Sequence, residues 1–349
     1  MKSSDRSIGI VSCDSPPFIG GMGRHVGSLC EGFHTAGVTA HIVDRTHRPY
    51  AWACGRNIGF SLGVRRTLEN FVHDHGITLL QVHVGPGGVL LPFFPSTVPV
   101  VLTVNHTYAA QSRLLGQYWK KIFIPFERRM YEHAQQMIAI SEDTANSLEN
   151  DYGIPRERIA IIHCGFELSP WIHADCEESD RDHRSCVFIG RPDVRKGWDL
   201  LRDAWSIVRK NMPHATLAVV GWDDVSRDGI SFLGRLSDQD LRSLIGRART
   251  TICPSRLEGF GLTAAESIAC GTPVVATSVA GLQRVVHEKR SGIFVDINPI
   301  SIAHGVITML QDDFLWRQLH DGCRVERARF DITKEIHAHL TLFDAVYSS

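Results

Sequence analysis

The chain has 349 residues, with 37 Lys and Arg against 38 Asp and Glu, 43% hydrophobic and 21% charged. At about 150 residues per domain this length holds two cores, which excludes a disulfide-stapled mini-protein, and the composition excludes a disordered or collagen-like chain. Basic and acidic residues nearly cancel in each half, 15 against 14 up to residue 170 and 22 against 24 beyond it, so nucleic-acid binding is not expected.

Apolar runs such as 98–104 stop well short of the ~18 residues that span a bilayer. The apolar stretch 8–11 near the amino end is too short for a signal peptide and reads as a first strand, so the cytoplasm is the expected compartment. Nine cysteines with no C-x-x-C, several of them (Cys30, Cys253, Cys270) inside apolar patterns, predict buried thiols rather than disulfides or zinc. The pairs His73/His75 and His337/His339 lie two apart on predicted helices, a spacing that does not put side chains face to face, and no metal site is expected.

In chain order, strand 8–11 leads through a glycine turn to a helix with Val26, Leu29, Cys30 and Phe33 on one face, closed by Gly37. Strands follow at 39–43, 79–84, 98–104, 136–140 and 159–162, with helices around 62–75 and 141–152. Residues 167–185 lose periodicity and gain charge, as a linker or an exposed connection does, and a domain boundary is expected there. The alternation then restarts with strands at 186–189, 216–220, 231–233, 251–253, 273–276 and 292–295, and helices at 197–212, around Leu241 to Ala248, and at 263–270. Strands alternating with amphipathic helices predict an α/β protein with parallel sheets, two Rossmann-like domains facing a cleft, and ligands at the carboxyl ends of the strands.

Three loops carry candidate chemistry. Gly20-Gly21-Met22-Gly23, between strand and helix, suits either an anion at the helix N-terminus or merely a tight turn, and it does not fit the dinucleotide fingerprint. The run 190–197 places Arg191, Arg195 and Lys196 after a strand, where Arg191 and Lys196 could neutralise a diphosphate leaving group or simply be solvated. In 254–266, Glu258 can accept sugar hydroxyls, and the N–H groups of Gly261, Leu262 and Thr263 can meet a phosphate, while Thr263-Ala264-Ala265-Glu266 also fits a capping box.

Glu258 to Glu266 resembles the E-x7-E motif of retaining GT-B glycosyltransferases, and PSRLEGFGLTAAESIACGTPVVATSVAGL resembles glycosyltransferase family 4. VFIGRPDVRKGWDLLRDAW, ATLAVVG, ISFLGRLSDQDL, AISEDTANSL and PPFIGGMGRHV are similar to that family in the same order, covering nearly the whole chain. The resemblance implies an acceptor-binding domain over 1–170, a nucleotide-sugar-binding domain over 171–330, and a helix over 331–349 that crosses back, for which the stripe Ile336, Leu340, Phe343 is suited. It implies transfer of a hexosyl group from a UDP- or GDP-linked sugar to a glycan, lipid-linked or small-molecule acceptor, with retention and without metal or other cofactor. By position it assigns the diphosphate to Arg191 and Lys196, donor-sugar hydroxyls to Glu258 and ribose to Glu266. Arg235 and Leu236 would frame the base, and Phe260, Gly261 and Leu262 would complete the donor site with Gly21 and Gly23 from the first domain. His106 would be the active-site histidine and His25 would lie on the acceptor side. The chain departs from the family at His163-Cys164-Gly165-Phe166-Glu167, where an Asn-Gly pair and a later Asp are usual, and in the residue inserted before His106.

Two other readings share these features: a sugar-nucleotide epimerase or hydrolase, since fold alone does not fix chemistry, and a silent sugar-nucleotide-binding protein that needs neither Glu258 nor His106. Finally, Arg113, Lys120, Lys121, Arg128 and Arg129 are interleaved with Leu114, Leu115, Tyr118, Trp119, Ile122, Phe123 and Phe126, either as a peripheral contact for anionic lipid or a lipid-linked acceptor, or as a mixed face beside the cleft.

Overall fold

The computed structural model describes residues 6–13, 21–44, 56–84 and 97–348. The chain divides into two compact units. Unit 1 comprises the residues up to Phe166 together with those from Ile332 onward, and unit 2 spans Glu167–Asp331.

Unit 1 is built on a six-stranded sheet of β1 (Ser7–Val11), β2 (Thr39–Val43), β3 (Leu79–Val84), β4 (Val100–Val104), β5 (Gln136–Ala139) and β6 (Ile159–Ile161), in the order β2-β1-β3-β4-β5-β6. Every pairing is parallel. Helices cover both faces, which is why β3 and β4 are buried along their whole length and read as continuous apolar runs. The strand period of two sends Leu80, Val82 and Val84 to one core with Val64, Leu68 and Leu148, and Leu79 to the other with Val26, Leu29 and Phe33. Gln81 and His83 share the face of Leu79, so two polar side chains enter that second core.

The last helix, Ile332–Ser348, completes the second core by packing on helix Gly21–Thr35. Ile336 and Phe343 are buried and Leu340 packs against them, as the apolar stripe predicts. At Gly32 a Cβ would lie 2.6 Å from Ile336 Cγ1, so the missing side chain is what allows the two helices to approach so closely.

Unit 2 repeats the plan with β7 (Asp182–Ile189), β8 (Thr216–Val220), β9 (Ile230–Phe232), β10 (Ala248–Cys253), β11 (Val274–Thr277) and β12 (Gly292–Val295), in the order β12-β11-β10-β7-β8-β9 and again parallel throughout. The expected α/β class with two Rossmann-like sheets is therefore what the chain forms.

Two sequence expectations need correction. The stretch 167–185 is not a solvated linker: it contains the helix Ser169–Ile172, and β7 begins at Asp182 rather than at residue 186. Its charges are spent on each other and on the backbone, because the buried Arg181 donates to Asp175 Oδ1 (2.9 Å), Thr272 Oγ1 (2.7 Å) and the carbonyls of Cys270 and Ala248. Arg324 and Arg327 close on the same Asp175. Strand β10 likewise starts three residues before the expected 251, because Arg249 is fully buried in it. Its guanidinium lies 4.5 Å from the centroid of Trp316 and donates to Met309 O, which lets a cation occupy a core strand. None of the described cysteines forms a disulfide, and Cys54 lies outside the described residues.

Candidate active site

At the carboxyl edge of the unit 2 sheet, the loops after β7 and β10 are stitched together. The chain leaves β7 through Gly190 and makes a single 3-10 turn, Val194–Lys196, which Asp193 caps by accepting from Lys196 N (2.9 Å). Gly197 then adopts φ +71°, and a Cβ there would sit 1.9 Å from Pro254 O, so glycine is required for the two loops to meet. Arg256 fastens the junction, donating to both oxygens of Asp199 at 2.7 Å and to Val194 O at 2.8 Å.

This junction brings Lys196 and Glu258 together. Lys196 Nζ lies 2.7 Å from Glu258 Oε2, Arg195 Nη1 lies 3.4 Å from Oε1, and Ser255 Oγ donates to Oε2 at 3.1 Å. The carboxylate is thus fixed by three donors from two loops. A small pocket beside it is lined by Ile189, Lys196, Ser255, Glu258, Gly261 and Thr263. Cys253 also borders the pocket, but burial pushes its thiol up to about 12, so it is protonated and a poor nucleophile.

Gly261, at φ +95°, is the cap of helix Leu262–Ala269, with no side-chain bond to the first turn. Thr263 is accordingly the second helical residue rather than its cap, so the capping box that Thr263–Glu266 also fits does not form. Ala264 N and Ala265 N close on Gly261 O, which leaves Leu262 and Thr263 as the first-turn N–H groups without a helical partner, and Gly261 and Thr263 line the pocket. Glu266 is buried on the same helix. Phe260 is buried beside it, edge-on to Phe330 with centroids 6.4 Å apart.

Of the other predicted donor residues, Arg191 is exposed at the start of the β7 loop. Arg235 is exposed and Leu236 half-buried just after β9, two strands from β7 on the same carboxyl edge. Sequence reasoning named the cations and the glutamate but not their pairing, nor Ser255 and the Arg256–Asp199 clamp. The run of cations at 191–196 was the available signal, and which of them reaches Glu258 is decided by the turn at Gly197.

In unit 1, Gly21 and Gly23 open helix Gly21–Thr35, while the loop before them lies outside the described residues. Asn105, at the end of β4, donates to Met22 Sδ at 3.2 Å, and Thr107 caps the next helix by accepting from Ala110 N at 3.1 Å. His106 is held between them, half-buried at the carboxyl edge of the sheet. His25 is buried on the helix, and its Nε2 lies 2.8 Å from Glu335 Oε1 of the last helix. Burial works against a charged ring at His25, but Cys164 and Glu335 outweigh it and hold its pKa well above the usual value. Glu335 Oε2 also accepts from Gly165 N at 2.6 Å, so the carboxylate joins the first helix, the segment leaving unit 1 and the helix returning to it. Neighbouring His83 is driven the other way, by burial first and then by His25 and His339, and is neutral.

Residues 19–170 match the family described as Glycosyltransferase Family 4, and residues 183–312 match Glycosyl transferases group 1. D-inositol 3-phosphate glycosyltransferase of Pseudarthrobacter chlorophenolicus is 30% identical over 226 residues, 57% of this chain and 53% of that protein. The matched segment spans about half the length of this relative. Among solved structures, sucrose-phosphate synthase from Thermosynechococcus elongatus superposes with a TM-score of 0.83 at 19% identity, over 98% of this chain and 99% of that one. Anabaena HepE in complex with UDP-glucose does so with a TM-score of 0.72 at 16% identity, over 97% and 99%. With matched segments spread over both units and the two-sheet fold in place, the chain belongs to the group 1, family 4 glycosyltransferases of GT-B fold.

Proposed function

We propose that the chain transfers a hexosyl group from a nucleoside diphosphate sugar, UDP- or GDP-linked, to an acceptor hydroxyl with retention of anomeric configuration. The observation that carries this reading is the convergence of Lys196, Glu258 and the N-terminus of helix Leu262–Ala269 on one pocket, with Arg195 reaching Glu258 from outside it. A departing diphosphate gains negative charge, and fixed cations together with unpaired N–H groups stabilise that charge without reorganising. HepE, of the same fold, binds UDP-glucose in its crystal. By the family resemblance, Arg191 joins Lys196 at the diphosphate, Glu266 takes the ribose, Arg235 and Leu236 frame the base, and His106 hydrogen-bonds the transferred sugar. These cations are the reason to expect turnover without a divalent metal.

Glu258 is assigned to the donor-sugar hydroxyls and not to covalent catalysis. Its Oε2 is engaged by Lys196 and Ser255 and its Oε1 by Arg195, which lowers their nucleophilicity, and the double displacement of a retaining glycosidase pairs two carboxylates about 5 Å apart across the scissile bond. Retention then follows from attack on the face the diphosphate leaves, with the acceptor proton passing toward that diphosphate.

The test is a panel of nucleotide sugars scored first for thermal stabilisation and then, with sugar acceptors, for transfer, with the product anomer read by NMR and a chelated parallel reaction. Retained product in chelator supports the reading. Hydrolysis or epimerisation alone, an inverted anomer, a metal requirement, or binding without turnover would each replace it.

A further inference from the structure

The segment 108–133 of unit 1 buries Tyr108, Glu127 and Tyr131 and leaves Tyr118, Trp119 and Phe126 outside. It runs as helix Tyr108–Leu115, a 3-10 turn Tyr118–Phe123 and helix Ile124–His133, with Pro125 in the first turn of the last. Glu127 is buried and accepts from Tyr108 N at 2.9 Å and from the Tyr152 hydroxyl, which fixes the rotation of its helix. That rotation leaves Tyr118, Trp119 and Ile122 each more than 60% exposed, with Leu114 and Phe126 beside them. Among the described residues, every large apolar side chain that unit 1 exposes lies in this segment.

The charge on this surface is mainly basic. Lys121, Arg128 and Arg129 are exposed, Glu127 is inside, and Glu132 near the end of the last helix is the one exposed acid of the segment. Lys121 Nζ lies 5.3 Å from the centroid of the Tyr118 ring and Lys120 Nζ 5.5 Å from that of Trp119, so cations and aromatics share one surface. Arg113, at the margin, is paired with Asp151 at 2.8 Å.

We propose that this surface docks on an anionic lipid membrane, with Trp119, Ile122 and Phe126 entering the interface and Lys121 and Arg129 meeting headgroup phosphates. Tyr and Trp with aliphatic neighbours, rimmed by Lys and Arg, match the layering of an interface: apolar acyl chains, then an amphipathic belt, then anionic charge. No helix among the described residues is long and apolar enough to cross a bilayer, so the contact is peripheral. The proposal stands on unit 1 alone and does not depend on the donor-site reading.

The experiment is co-sedimentation of the full chain with phosphatidylcholine vesicles, with and without phosphatidylglycerol, at low and high salt, alongside measurement of its mass in solution. Wild type is expected to bind the anionic vesicles, to bind the neutral ones far more weakly, and to be released by salt. The double variant Trp119→Ser, Ile122→Ser and the double variant Lys121→Glu, Arg129→Glu should each lower vesicle partition by about tenfold or more. Should the first fail to fold, the charge reversal decides. Trp119→Phe should remove the blue shift in tryptophan emission that vesicles induce. Equal binding to neutral and anionic vesicles, no binding at all, or a wild-type dimer that Trp119→Ser, Ile122→Ser turns into a monomer would overturn the proposal, the last by making a second copy the occupant.

Discussion

Glu258 takes hydrogen bonds from three side chains at once, and its removal would leave Lys196 and Arg195 unanchored beside the pocket. Lys196→Ala should therefore reduce kcat/KM by an amount equivalent to about 2–4 kcal/mol, with little change in melting temperature, as read by steady-state kinetics with a saturating acceptor. Glu127 offers a pH signature. Burial first, opposed by hydrogen bonds from Tyr152 and Tyr108, raises its pKa to about 7. An acid raised in the folded state binds its proton more tightly there than when unfolded, so its contribution to stability is present at low pH and falls as pH rises between the unfolded value and about 7. Glu127→Gln should flatten that part of the stability curve in denaturation series at pH 5 and pH 8, whereas unchanged slopes would refute the assignment. At this scale the sequence was half legible. Lys196, Glu258 and Glu266 could be named because a turn and a helix start bracket them, whereas no local pattern singles out Glu127. Its burial depends on Tyr152, 25 positions away.

The elements carry their own test in Gly197. Alanine there would add backbone strain at φ +71° and drive a Cβ into Pro254 O, so Gly197→Ala should push the β7 and β10 loops apart. The expected outcome is a loss of about 1–3 kcal/mol in stability together with a fall in donor affinity, measured by melting and by nucleotide-sugar titration. Element type was readable because buried parallel strands are apolar runs and helices show a 3.6-residue stripe. The errors at strand starts had two causes. The first half of β7, Asp182–Ser185, is polar and mostly exposed, whereas in β10 the buried Arg249 broke the apolar pattern, and no local rule reveals that Trp316 will receive it. The capping box failed for a related reason: Gly261, already free to take a left-handed turn, starts the helix before Thr263 can.

For the whole molecule, the return of the last helix makes unit 1 discontinuous in sequence. Glu335 ties that helix to His25 and to Gly165, in the stretch where the chain departs from the usual family pattern. Glu335→Ala should cost about 3–5 kcal/mol, because it strands a buried histidine whose charge it supports. The pair's contribution is complete below the ordinary histidine pKa and is lost as pH rises through the raised value of the folded state, so the gap between wild type and variant should shrink in alkaline melts. A pH-independent gap would mean that Glu335 acts only through Gly165.

That discontinuity also sets an order of events during synthesis. A ribosome releases the strands of unit 1 first, then all of unit 2, and only at the end the helix that covers Val26, Leu29 and Phe33. For the time needed to translate unit 2, at roughly 5–20 residues per second, a greasy strip of the nascent chain has nothing native to cover it. A chaperone that recognises short apolar stretches would find its target there, and would be dismissed by the arrival of residues 332–348 rather than by any step within the first half of the chain.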